Sequence, residues 1–153
     1  MQINLVAIGR SMPDWVEQGW REYARRLPPQ IDLELIALAP PAGRRDGSNR
    51  RREGRLLLER SPRDATLIAL DGTGEQWSTQ ALARRMEQWM MQGAPVALLV
   101  GGADGHSDEV RSASAARWSL GRLTFPHMLV RVIVAEQIYR AWTLLSGHPY
   151  HRG

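Results

Sequence analysis

Compact apolar runs alternate with amphipathic stretches along the whole chain. Ile3 to Ile8 is an apolar run of strand length. Beyond it Val16, Trp20, Tyr23, Ala24 and Leu27 recur at helical spacing, with Ser11 and Asp14 set three apart as a capping box requires. Ile31 to Leu38 sets Ile31, Leu33 and Leu35 against Asp32 and Glu34, the alternation of a half-exposed or edge strand. Pro40-Pro41-Ala42-Gly43 closes it, and Arg50 to Glu59 follows as a helix weakened by Gly54. Thr66 to Leu70 predicts a strand, and Ser78 to Met91 a helix burying Leu82, Met86, Trp89 and Met90.

Val96 to Val100 is the most continuous apolar run, between Pro95 and Gly101-Gly102, and is expected at the centre of a sheet covered on both faces. Ser107, Asp108 and Glu109 open a short helix to about Ala116, and a short strand is expected around Trp118-Ser119-Leu120. Met128 to Leu145 is apolar on most of its circumference, with Glu136, Arg140 and Thr143 as a narrow polar stripe. A helix of that kind must be buried, in part against another copy of the chain. The alternation predicts an α/β fold, a mainly parallel sheet with helices on both faces, and 153 residues make it a single domain.

Charge changes this picture locally. All 20 basic residues are arginines, and guanidinium forks match phosphates two bonds at a time. Eight of them lie between Arg44 and Arg63 against Asp46, Glu53 and Glu59, so this segment carries +5 of a net +4 and the rest of the chain −1. That concentration is the footprint of a nucleic-acid binder, with a solvated basic loop as the plain alternative. The absence of cysteine removes disulfides, thiolate metal sites and a cysteine nucleophile, and fits a cytoplasmic protein. No run approaches the ~20 apolar residues of a membrane span, and Met1 to Leu5 lacks the basic start of a signal peptide. No membrane partner is expected.

Open α/β sheets bind ligands beyond the carboxyl ends of their strands. Three such places carry candidate chemistry: Leu70-Asp71-Gly72, Gly101-Gly102-Ala103-Asp104-Gly105, and Leu120 to Phe125. Glycines there let a ligand approach the backbone and free amides to hold it, although tight turns also use glycine for conformation alone. The spacing is neither a dinucleotide fingerprint nor a phosphate loop, and no G-x-S-x-G elbow exposes a serine. The tail His148-Pro149-Tyr150-His151-Arg152-Gly153 is dense in proton-transfer and anion-binding groups. Its two histidines lack the cysteines or clustered carboxylates that would complete a metal shell, so no metal is expected.

Taken in order and at their spacing, several stretches resemble one family along essentially the whole chain. They are Leu5 to Gly9 with Met12-Pro13-Asp14-Trp15-Val16, Leu70-Asp71, Val100 to Gly105, Trp118 to Leu120 leading through Leu123-Thr124-Phe125-Pro126-His127, and Tyr139-Arg140-Ala141-Trp142 with His148 to Arg152. The family is the SPOUT class of RNA methyltransferases, and within it the small enzymes that methylate N3 of a pseudouridine in bacterial 23S ribosomal RNA. The resemblance implies a C-terminal trefoil knot, a homodimer, a cytoplasmic location, and a substrate presented by the assembled ribosome. It also implies S-adenosylmethionine held by Leu70, Gly102, Leu120, Gly121, Arg122, Leu123, Thr124 and Phe125.

Pseudouridine N3 carries a proton that must leave before it can attack a methyl group, so deprotonation and alignment fall to the protein. His127 and His151 are the candidate proton acceptors or orienting groups, with a helix-start residue bonding to backbone as the plain alternative for His127; Arg152 is a stabiliser of the anionic base or holder of a phosphate, and Tyr150 a stacking platform. Glu136 and Arg140 are expected as a buried structural pair, with Arg140 facing the cofactor carboxylate as the alternative. Two other readings remain: a non-catalytic RNA- or ribosome-binding α/β protein, and a flavodoxin-like module.

Overall fold

The computed structural model describes residues 1–43, 46 and 48–152, without the side chain of Arg152. Arg44 and Arg45 of the basic segment, and the guanidinium of Arg152, therefore lie outside the described residues. Five parallel strands form one sheet in the order β2-β1-β4-β3-β5: β1 (Gln2–Ile8), β2 (Asp32–Leu38), β3 (Thr66–Gln76), β4 (Val96–Val100) and β5 (Ala116–Ser119). The uninterrupted apolar run of β4 lies in the middle with every residue buried, and the alternating β2 is an edge strand, as their patterns require.

Helices cover both faces. On one, α1 (Asp14–Ala24), α3 (Thr79–Gln92) and α5 (Leu129–Ser146) bury Trp20, Met86 and Ile138 against Leu5 and Leu98. On the other, α2 (Asn49–Arg60) and α4 (Asp108–Ala113) set Leu57 and Val110 on Val6 and Leu99. Gly54, which weakens α2 by propensity, is where that helix meets α4: a Cβ there would lie 2.3 Å from Ser107 Oγ. Packing overrides propensity.

Four local expectations are corrected. Helix α1 starts from Pro13, whose carbonyl accepts from Val16 and Glu17, and no side chain caps it; proline's fixed φ does the work assigned to Ser11. Helix α4 stops at Ala113 because Ser114 Oγ bonds back to the Val110 carbonyl and Ala115 N–H is captured by Leu67 of the sheet, so Ala116 already belongs to β5. Met90 is exposed, since the buried stripe of α3 runs through Leu82, Met86 and Trp89. Thr143 is fully buried and donates to the Arg140 carbonyl rather than lying in a polar stripe.

Candidate functional site

The carboxyl ends of β3, β4 and β5 converge on one cavity of about 270 Å³. Strand β3 runs six residues past the expected Leu70 and makes room by bulging. Leu70 and Glu75 both face Trp118 of β5, so Asp71 to Gly74 loop out between them. Gly74 is required there, because a Cβ would lie 2.6 Å from the Arg117 carbonyl carbon and oxygen. Asp71 ties the bulge: Oδ1 accepts from Thr73 N–H at 3.0 Å and Thr73 Oγ1 at 2.8 Å, and Oδ2 from Arg111 Nε at 3.1 Å. Burial pushes this carboxyl up, and the bonds from Thr73 and Arg111 outweigh burial and hold it below its ordinary value.

After β4 the chain turns through Gly101 and Gly102, and a Cβ on Gly102 would come within 2.5 Å of Glu53 Oε2. The carboxylate of α2 thus backs the loop on the side away from the cavity. After β5, Ser119 Oγ both donates to the Gly121 carbonyl (3.1 Å) and accepts from Gly121 N–H (3.2 Å), which fixes the course of the third loop. Trp118 stacks on Trp77 with ring centroids 5.0 Å apart, and Arg85 covers the outer face of Trp77 at 3.9 Å, so one cavity wall is a braced aromatic plate.

Of the residues expected to hold a cofactor, Leu70, Gly102, Leu120, Gly121, Leu123, Thr124 and Phe125 line this cavity. Arg122 is exposed and is not part of the lining. His127 lines it too. Its Nε2 lies 2.7 Å from the Ile8 carbonyl, which can only accept, so Nε2 carries the proton and Nδ1 keeps an open lone pair.

The tail is elsewhere in the same chain. Pro149–Arg152 form a 3₁₀ turn after α5 that folds back along the helix. Tyr150 donates to Glu136 Oε1 at 3.1 Å, packs edge-on against Tyr139 at 4.6 Å, and lies under Arg140, whose guanidinium is 2.6 Å from the same carboxylate. Glu136 and Arg140 are thus the expected pair, partly buried, with Tyr150 as a third member. Burial first, then bonding to Tyr23 and the Glu136 charge, push the Tyr150 hydroxyl above its ordinary value, so it is a neutral donor. His151 lies beside Thr79, Gln80 and Leu144. Neither Tyr150 nor His151 is among the residues that line the cavity with His127.

Two site residues have no place in the sequence-based expectations. His106, after the glycine turn, is buried in the cavity wall. Arg131 is fully buried in α5, donating from Nη2 to the carbonyls of Gly9 (2.6 Å) and Ile8 (3.3 Å), while Nε and Nη1 have no partner. Its signal was an arginine inside the run Leu129 to Val134; that of His106 was a lone imidazole directly following a ligand-type loop. Among the described residues no group of acidic, histidine or cysteine side chains could hold a metal, and no helix is long and apolar enough to cross a membrane.

A parallel α/β sheet whose last three strands feed glycine-bearing loops around one cavity has the layout of a nucleotide-dependent enzyme. The family model described as "Predicted SPOUT methyltransferase" matches residues 1–151, and the chain belongs to that family. Similar proteins named "Ribosomal RNA large subunit methyltransferase H" include those of Methylococcus capsulatus, 51% identical over 99% of this chain and 100% of the relative, and Hahella chejuensis, 47% identical over 99% of each. The protein of that name from Alkalilimnicola ehrlichii is 50% identical over 99% of each.

Proposed function

We propose that the chain is an S-adenosylmethionine-dependent methyltransferase of large-subunit ribosomal RNA, acting on N3 of a pseudouridine of 23S RNA in the assembled ribosome, as a cytoplasmic homodimer with the C-terminal knot of its family. The observation that carries this reading is the single cavity at the ends of β3, β4 and β5, in a member of a methyltransferase family. Its glycine-lined loops and aromatic wall fit an adenosine-bearing ligand. Leu70, Gly102 and the backbone from Leu120 to Phe125 would hold it, with Arg122 contributing main chain at most, since its side chain is turned to solvent.

Bound there, S-adenosylmethionine supplies a methyl group already activated by its sulfonium charge. The protein's work is on the acceptor. His127 Nδ1 takes the N3 proton, because Nε2–H is committed to Ile8. Tyr150, His151 and Arg152 complete the site from a second protomer, bringing a stacking ring, an imidazole and a guanidinium to the base. Half-exposed Val132, Ile133, Trp142 and Leu144 on α5, with Trp15 of α1 at 58% exposure, supply apolar area for that dimer.

Calorimetric titration with S-adenosylmethionine, together with mass mapping of 23S nucleosides from cells lacking the gene, tests the reading. Saturable binding and loss of one methyl-pseudouridine are expected; a protein that binds no S-adenosylmethionine with or without ribosomes sinks it. Truncation after Gly147 should leave cofactor binding intact and abolish methyl transfer.

Substrate capture is assigned to α2. Arg50 and Arg51 are exposed, whereas Arg52 is tied into the fold through the Ala42 carbonyl and Asn49. Replacing Arg50 and Arg51 by alanine should weaken ribosome binding and reduce the slope of log affinity against log salt by about 0.7–0.9 for each phosphate no longer neutralised. An unaltered slope would make these arginines ordinary surface.

A further inference from the structure

We propose that His106 is a positioning residue of the donor pocket, its Nδ1 accepting a hydrogen bond from a neutral N–H or O–H on the adenosine part of the cofactor. The inference rests on the methyl-donor reading above and adds a side-chain contact to a site otherwise built from backbone. The ring is pinned from one side: Nε2 lies 3.0 Å from the Leu70 carbonyl and 3.0 Å from the Leu99 carbonyl. Both partners only accept, so Nε2 bears the proton and is shared between β3 and β4. Nδ1 is then a lone pair, and it has no hydrogen-bond partner.

The residue is 3% exposed and lines the cavity. Buried acceptors without partners are uncommon, and one on a ring that lines a ligand cavity points to a group that arrives with the ligand. The glycine loop passes close to this nitrogen: a Cβ on Gly101 would stand 3.0 Å from the Gly105 carbonyl oxygen and 3.3 Å from Nδ1. A carboxylate or phosphate oxygen would set lone pair against lone pair, which excludes anions. The adenine 6-amino group and the ribose hydroxyls are neutral donors, and Leu70, Val100 and Trp118 around the ring form the apolar walls a flat heterocycle needs.

The test uses the full chain labelled with [¹⁵N]histidine and S-adenosylhomocysteine as probe. The His106 Nδ1 resonance is expected to move upfield on saturation, as a lone pair does when it accepts a hydrogen bond. Analogues identify the donor: loss of the shift with the inosine counterpart assigns the 6-amino group, and loss with the 2′- or 3′-deoxyribose counterpart assigns a hydroxyl. A saturating ligand that leaves Nδ1 unmoved, or a shift that persists with all three analogues, overturns the inference while leaving the methyl-donor reading intact. A wild-type protein that binds no S-adenosylhomocysteine overturns both. His106→Leu gives a second readout, an expected loss of about ten-fold in affinity for S-adenosylhomocysteine but little for the analogue lacking the matching donor. Equal losses for both ligands would reduce His106 to a structural brace and overturn the proposal.

Discussion

Burial lowers the His106 imidazole below its ordinary value of 6.5, against the carbonyls of Leu99 and Leu70 and the charge of Asp71, which favour the cation, and with Arg111, which opposes it. A base whose folded-state value is lowered binds fewer protons in the native state than in the unfolded chain. Stability is therefore undiminished above 6.5 and falls as pH drops through that value toward the lower folded one. Denaturant midpoints measured from pH 8 to pH 5 should decline on the acid side, and the decline should be shallower in His106→Leu. Identical slopes would mean that this ring does not titrate against the fold. That Leu70, Gly102 and the loop from Leu120 to Phe125, the Arg122 side chain excepted, border one cavity was legible in the sequence because all of them follow strands. His106 and Arg131 were not, because what singles them out is burial with a nitrogen left over, a property of three-dimensional packing.

Strand β3 shows the same limit at the scale of elements. Period and composition placed its start, but Asp71-Gly72-Thr73-Gly74 reads locally as a turn that ends a strand. In the sheet it is a bulge, and pairing resumes at Glu75 and Gln76 against Trp118 and Ser119. Only the partner strand reveals this, since bulge and turn share glycine and Asx chemistry. The bulge both opens the cavity and braces it, so Gly74→Ala should force β3 away from Arg117 at a cost of about 1–3 kcal/mol, a magnitude typical of overpacking. The accompanying expectation is weakened S-adenosylmethionine binding from the displaced Leu70 and Asp71. Thermal unfolding and calorimetry read the two effects separately, and wild-type values for both would show that the close approach of β3 to β5 is dispensable. The central β4 and edge β2 needed no such context, because a continuous or alternating run carries its own register.

For the whole molecule the geometry of α5 decides how the chemistry is assembled. Its first turn follows His127 at the cavity, and its last turn leads into a tail that folds back along the helix, with Tyr150 on Glu136 and Tyr139 and His151 beside Thr79 and Leu144. Neither Tyr150 nor His151 is among the residues that line the cavity, so under the proposed mechanism the cavity and the tail of one chain are two half-sites. The homodimer proposed above requires a two-fold arrangement in which each tail meets the other chain's cavity, and its symmetry would make both sites alike. This has a consequence that a self-contained monomer does not share. In a mixture of His127→Ala chains and chains truncated after Gly147, neither homodimer has a complete site. The mixed dimer has one, formed by the intact cavity of the truncated chain and the intact tail of the other. Equal mixing and subunit exchange should therefore restore about a quarter of wild-type turnover, from half the dimers with one site of two. If each chain used its own tail, every site in the mixture would lack one component and turnover would stay at the level of the separate variants.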